Sequence, residues 1–397
     1  MIRPKTIHIL GAGPFQVPTI RLAKSMGLRV LVTDIYPERP GYAYADEHEV
    51  MDIADREGTL RIAEKHCIDA IVCDTTDVGV PTMAYIAERL GLPGIGFQTA
   101  LNFTDKHRMR IITSAAGLPN PLFRSVSTSD AVRSAAVSLG FPAVVKPADN
   151  QGSRGVRVVR NVREVEDAYE HARRFTRRNE ILVESFIDGV EVTVESLTVS
   201  GKTFVLGISD KDHLAHRPEV SSRITYPAAF PPDVMDRIRE LNSAVIRALG
   251  LRTGITHAEY RVQDGQPYLI EIAARGGGSR IYSHIVPYLA CANIPELYLR
   301  FLLGEEIRFQ PHAGPRAANL AFLVFRPGVI ASIEGTDEAA RIAGVQEILI
   351  EPGVGERVEL PTDDRSRPGQ VIIFGETRRQ VLDATMEVFR TVKVNIA

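Results

Sequence analysis

From about Thr6 to about Gly96 the chain alternates short apolar runs with helical segments: TIHILGAG, PTIRLAKSMG, RVLVTDIYP, TLRIAEKHC, DAIVCDT and TMAYIAERLG. Strands separated by helices are joined as a parallel sheet, because each crossover carries the chain back to the start of the next strand. This predicts a parallel α/β domain over residues 1–103. Gly11-Ala12-Gly13 after the first strand and Asp34 after the second stand where a dinucleotide-binding fold meets its cofactor. Gln16, however, occupies the place of the third glycine that would pack helix on strand, so the expectation is a tight turn without a dinucleotide.

Over residues 104–305 the order changes to strands in pairs, with a smaller subdomain at about 122–190; residues 306–397 form a further mixed α+β segment. A length of 397 residues is too great for one core and suits two or three domains. Apolar content of 44% with 24% charged residues describes a soluble globular protein. Lys plus Arg total 47 against 49 for Asp plus Glu, so no net positive field favours nucleic acid or an anionic membrane. Small anionic ligands would need local basic sites. Cys67, Cys73 and Cys291 form no Cys-x-x-Cys pair and sit in apolar runs that suggest plain packing in a reducing compartment. With no signal-like or membrane-length apolar run, the expected location is the cytoplasm.

Chemistry concentrates in the middle of the chain. HAEYRV and PYLIEIAARGGG read as a hairpin turned at QDGQ, and strand alternation puts Glu271, Ala273 and Arg275 on one face with Glu259 roughly opposite. Two hard oxygen ligands and a guanidinium in one space suit magnesium against phosphates; the ordinary alternative is an exposed hairpin with solvated polar residues. Lys146 ends the apolar strand FPAVV, and the turn Asn150 to Val156 that follows offers glycines and donors for close approach to phosphates. Lys106 opens a helix capped by Asp105 or Thr104. In ILVESFIDGVEVTVE, backbone at the end of the first strand could read an adenine edge, and Glu191 could accept hydrogen bonds from ribose hydroxyls.

These pieces in this order resemble the ATP-grasp superfamily: TDK at 104–106, VVKP at 144–147, QGSRG at 151–155, VESFIDGVE at 183–191, HAEY at 257–260 and EIAARGGG at 271–278. The first segment looks like the preceding domain of the carbamoyl-phosphate-synthase-like branch. The C-terminal segment is similar to the tail of amino-acid ligases of that branch. The resemblance implies an ATP-grasp fold of α/β and α+β class, with a Rossmann-like N-terminal domain, a central two-subdomain ATP-binding region and a mixed C-terminal segment. It also implies ATP and one or two Mg2+ ions as cofactors, with Mn2+ an alternative.

By the same resemblance Lys106 and Lys146 would contact phosphates, and Gly152, Ser153, Arg154 and Gly155 would cover them. Glu184, Phe186 and Ile187 would hold adenine, Glu191 ribose, and Glu259 and Glu271 the metal. Arg275, with Lys146, would be catalytic, stabilising the transferred phosphoryl group. Ala273 stands where the family commonly has Asn, which leaves a second magnesium to Glu271, phosphate and water. In the segment ISDKDHLAHRPEVSSRITYPAAFPP, the region of a substrate loop in related ligases, His213, His216, Arg217, Ser222 and Arg223 are candidate substrate contacts, as are Arg275, Gly276 and Gly277; the ordinary alternative is a solvated connection.

The function expected is an ATP-dependent ligase, forming a C–N bond between a carboxylate and an amine, with amino acids the expected substrates. Phosphorylation turns a poor electrophile into an acyl phosphate, which the amine attacks, giving ADP and phosphate. The competing readings are a carboxylase or formyl-phosphate enzyme of purine synthesis, a nucleotide-binding regulatory protein without turnover, and a nicotinamide dehydrogenase. Partners would be small molecules, with a homodimer possible and no nucleic acid or membrane.

Overall fold

The computed structural model describes residues 3–150, 152, 154–176, 178–312 and 314–397. The first sheet is built from β1 (Thr6–Leu10), β2 (Arg29–Asp34), β3 (Glu47–Val50) and β4 (Ala70–Val72), all parallel, in the order β3-β2-β1-β4. β1 and β4 are buried at every residue, which explains why their runs are continuously apolar. Helices α1 (Val17–Ser25), α2 (Arg56–Lys65) and α3 (Val80–Arg89) follow these strands, and α4 (Phe97–Thr104) and α5 (Lys106–Ala115) lead out of the segment. Asp105 caps α5 by accepting from His107 N and Arg108 N at 3.0 and 3.1 Å, which sets Lys106 as the first helical residue. β3 escaped the sequence reading, because EHEV has one apolar residue in four.

A small antiparallel sheet, ordered β5-β8-β6-β7, comprises β5 (Phe123–Val126), β6 (Ala143–Pro147), β7 (Arg157–Val159) and β8 (Ile181–Ser185). With α6 (Ser129–Leu139) and α7 (Val165–Arg173) it encloses its own core of Val132, Val145, Val165, Ile181 and Val183. The large sheet takes β9 (Val190–Val199), β10 (Lys202–Leu214), β11 (Arg217–Tyr226), β12 (Gly254–Gln263) and β13 (Gln266–Ala273). The C-terminal strands are β14 (Ala317–Leu323), β15 (Gly328–Glu334), β16 (Val345–Ile350), β17 (Arg357–Val358), β18 (Gly369–Gly375) and β19 (Lys393–Ile396). Three of them extend the large sheet, whose eight strands run β13-β12-β9-β10-β11-β14-β18-β16. The C-terminal segment therefore shares a sheet with the centre of the molecule.

Sequence neighbours β8 and β9 belong to different sheets: β8 pairs with β5 and β6, β9 with β10 and β12. The Asp188-Gly189 connection is thus the passage from one sheet to the other. Gly189 is required there, since a Cβ would lie 2.3 Å from the Val262 carbonyl oxygen. Helix α8 (Pro232–Leu249) ends at left-handed Gly250 and packs Ile238 and Val245 into one core with Ala258 and Tyr260 of β12 and with Met83, Ile86 and Phe103 of the N-terminal helices. The N-terminal segment and the large sheet are joined by that common core, whereas the small sheet has a separate one.

Two cysteines depart from the expected packing. Cys73 is buried, but Cys67 and Cys291 are exposed with φ of 47° and 49°. Both end helices, where the chain turns outward in the left-handed conformation.

Candidate functional site

The ends of β1, β2 and β4, the small sheet, β9 to β13 and the C-terminal loop before β18 surround a cavity of about 1200 Å³. That exceeds the usual space for one drug-sized ligand and has room for a nucleotide beside smaller molecules. Its floor follows from alternation in β12: Ala258, Tyr260 and Val262 are buried in the core, while His257, Glu259 and Arg261 line the cavity.

Beneath the small sheet, Glu184 accepts from Arg110 Nε at 2.9 Å and from Lys146 Nζ at 2.6 Å. All three side chains are at most 5% exposed. Burial raises the Glu184 carboxyl, but the two cations more than offset this and hold it below the ordinary range; burial pushes Lys146 down. Two cations to one anion leave one positive charge without a buried counter-ion in this group, and Lys146 faces the cavity with it. Such a charge suits a phosphate. Arg110 also donates to Ile270 O at 2.6 Å, the carbonyl of the residue skipped where the β12–β13 register slips.

Glu259 and Glu271 are direct cross-strand partners. Lys211 Nζ lies 2.6 Å from Glu259 and 2.7 Å from Glu191; Lys106 Nζ lies 2.7 Å from Glu271 and also donates to Asn150 O. Burial works against charge on Glu191 and Glu259, yet Lys211 holds Glu191 down to about 2 and Glu259 well below the ordinary range. Two opposed carboxylates fit magnesium, which takes one or two protein oxygens and fills its shell with phosphate and water. Among the described residues no group of three His, Cys, Asp or Glu forms an all-protein metal cage.

At the strand end Arg275 turns to the N-terminal segment: its Nε and NH2 donate to the two oxygens of Asp77 at 2.7 and 3.2 Å. Beside it, His257 Nδ1 lies 2.6 Å from Glu195 Oε1. Burial opposes charge on this imidazole, but Glu195 outweighs it and raises the group to about 9.

An ATP-grasp domain matches residues 139–283, and the L-amino acid ligase C-terminal domain 2 matches residues 321–397. The chain carries an ATP-grasp domain followed by an L-amino acid ligase C-terminal domain. The crystal structure of an L-amino acid ligase from Bacillus licheniformis has the same fold, with a TM-score of 0.84 over 100% of both chains at 24% identity. Phosphoribosylglycinamide synthetase from Anaerococcus prevotii gives 0.81, also over 100% of both chains, at 19% identity. The formate-dependent phosphoribosylglycinamide formyltransferase of Chlorobaculum tepidum is 29% identical across 89% of this chain and 88% of that protein. An uncharacterized protein y4rH of Sinorhizobium fredii is 28% identical over 75% of this chain, which spans only 62% of that relative's length.

Of the expected site residues, Lys106, Lys146, Gly152, Arg154, Phe186, Ile187, Glu191, Glu259, Glu271 and Arg275 all line the cavity; Ser153 lies outside the described residues. Gly155, at φ 78°, packs against Pro147 and Phe175 and lines a small side pocket instead. The Glu184 carboxylate is taken up by Arg110 and Lys146, which leaves only its backbone for the expected adenine contact. Glu191 already accepts from Lys211 and from Arg261 NH2 at 3.3 Å, so a ribose would have to compete with them.

The expected substrate loop is a hairpin of β10 and β11, because its polar residues alternate and pair along the strands. That geometry takes all five candidates on it, including His213 and Ser222, off the lining of the main cavity. His216 Nε2 sits 3.1 Å from Pro361 O, Arg217 lines the side pocket, and Arg223 pairs with Asp212 at 2.8 Å. Gly276 and Gly277 are packing positions, since a Cβ would meet Tyr282 at 2.3 Å or Ile281 at 2.8 Å; the adjacent Gly278 and Ser279 line the cavity. Gln16 is 7% exposed, lies over the Gly11 to Gly13 turn and donates to Thr75, while Asp34 accepts from Ala12 N at 2.9 Å, so the dinucleotide positions are used internally.

Sequence reading missed Arg110, Lys211, Asp77 and Arg367. Arg110 follows Lys106 by four residues on α5, a helical spacing that places the two on one face. Lys211 was hidden in a polar strand. Arg367, stacked 3.4 Å from the Phe322 ring and 2.9 Å from Ser221 Oγ, lies in a loop that carried no signal.

Proposed function

We propose that the protein is an ATP- and magnesium-dependent carboxylate–amine ligase that joins amino acids through an acyl phosphate and releases ADP and phosphate. The observation that carries this reading is the pairing of Glu259 with Glu271 beside the buried, net-positive Arg110–Glu184–Lys146 group. The match to the L-amino acid ligase C-terminal domain supports the amino-acid substrate class. The units are residues 1–103, 104–305 with a lid at about 122–190, and 306–397.

Lys146 and Arg110 attract the phosphates, and Lys106 is positioned to exchange Glu271 for a phosphate oxygen. Glu259 and Glu271 would hold magnesium, which supplies charge neutralisation on the phosphates when bound. A carboxylate oxygen attacks the terminal phosphorus and ADP leaves. The amine then attacks the acyl carbon, loses a proton, and phosphate departs with one former carboxylate oxygen. Arg275 stabilises the charge on the transferred phosphoryl group, and the small sheet excludes water that would hydrolyse the acyl phosphate.

Relatives named as formate-dependent formyltransferases favour formate activation as the second reading. The test is ADP release with amino acids in pairs, against formate with glycinamide ribonucleotide. Turnover that needs two amino acids supports the first reading, turnover with formate replaces it, and none with either favours a regulatory nucleotide binder.

A further inference from the structure

The Asp77–Arg275 pair joins residues 198 positions apart in the chain, so local geometry does not produce it. It depends on the N-terminal segment packing against the end of β13. The two side chains are 15% and 12% exposed, and the same seam is tied by Gly276 N donating to Asp74 O at 2.8 Å, while within the turn Arg275 Nη1 donates to Gly276 O at 2.8 Å. Three contacts therefore fix both backbone and guanidinium of this turn. Burial works against the Arg275 charge; Asp77 outweighs it, and Glu271 and Glu259 add to the upward shift. Glu259, Glu271 and Arg275 line the same cavity.

A buried guanidinium deprived of its carboxylate seeks another, because its five donors and its charge are costly to leave unmatched. The nearby candidates are Glu271 and Glu259. A bidentate arginine on either glutamate would occupy the oxygens a divalent cation needs.

We propose that Asp77 is a positioning residue that holds the Arg275 guanidinium toward the N-terminal segment and off the two glutamates, keeping them free for the metal–nucleotide complex. This rests on the reading of Glu259 and Glu271 as metal carboxylates. It makes the N-terminal segment a working part of the nucleotide site.

The test compares binding of Mn2+·ADP, followed by water-proton relaxation, with binding of ADP in EDTA, followed by calorimetry, on the full chain. Asp77→Asn should weaken Mn2+·ADP about 10-fold or more, the range for loss of a partner that orients metal ligands, while metal-free ADP binding stays unchanged. Asp77→Asn with Arg275→Met should recover Mn2+·ADP binding, because the intruding guanidinium is gone. Asp77→Glu should retain it. Equal Mn2+·ADP affinity in the wild type and Asp77→Asn, or no recovery in the double variant, overturns the proposal. Should Asp77→Asn fail to fold, Arg275→Met alone decides: unchanged Mn2+·ADP affinity supports a restrained arginine, and a large gain shows that Asp77 does not restrain it. A wild type that binds ADP equally with and without Mn2+ removes the metal assignment and the proposal together. Because the readout is binding, failure to find a ligase product leaves this test intact.

Discussion

Glu259 and Glu271 face each other across the β12–β13 register, and each is held by a different lysine, Lys211 from β10 and Lys106 from the start of α5. Like charges directly opposite on a sheet are destabilising. The fold resolves this by placing an ammonium group on each carboxylate; on the proposed function, a nucleotide would draw the lysines away and free the two carboxylates for a divalent cation.

Lys211 carries the heavier share, since it serves Glu191 and Glu259 together. Lys211→Met should leave two partly buried carboxylates short of a cation, with Arg261 still beside Glu191, and destabilise the fold by about 1–3 kcal/mol. Chemical denaturation measures this. A loss typical of a surface lysine would mean that the three-membered group is not a structural unit.

Lys146→Ala leaves Arg110 and Glu184 as a neutral pair and removes the spare positive charge from the cavity. ADP affinity should fall about 10-fold or more, as for the loss of one charge-assisted hydrogen bond. Calorimetric titration with unchanged affinity would place the nucleotide elsewhere.

Asp74 supplies a pH signature away from the glutamates. It is fully buried, and burial raises its carboxyl to about 6 despite hydrogen bonds from Thr19 and Thr75. Because the folded value lies above the unfolded one, about 3.9, the folded state holds its proton more tightly, so stability falls as pH rises from about 4 to 6. Asp74→Asn should abolish that component and raise stability at pH 7 by on the order of 3 kcal/mol. Melting temperatures of both proteins across this range check the sign; parallel curves would contradict it.

The parts of the fold legible in the sequence were those set by periodicity. The continuous apolar runs of β1 and β4 announced a parallel sheet, and alternation in β12 announced which residues face the cavity. Sheet membership was not legible: β8 and β9 look like one hairpin, yet β8 pairs with β5 and β6 and β9 with β10 and β12. Within the site, Lys146, Glu259 and Glu271 carried local signals, whereas Lys106 entered only through the family resemblance. Asp77 and Arg367 act through contacts with residues far along the chain, which no local pattern encodes. The roles given to Glu184 and Glu191 overlooked the cations that fold against them.

The central claim is that a carboxylate is activated by phosphoryl transfer and then captured by an amine. The most direct measurement supplies a carboxylate labelled with heavy oxygen on both positions, together with ATP, magnesium and the partner amine, and follows the label by mass spectrometry. One labelled oxygen should leave in inorganic phosphate with ADP as the nucleotide product, because that oxygen bridges carbon and phosphorus until the amine attacks. Label in AMP, with pyrophosphate released, would contradict the account.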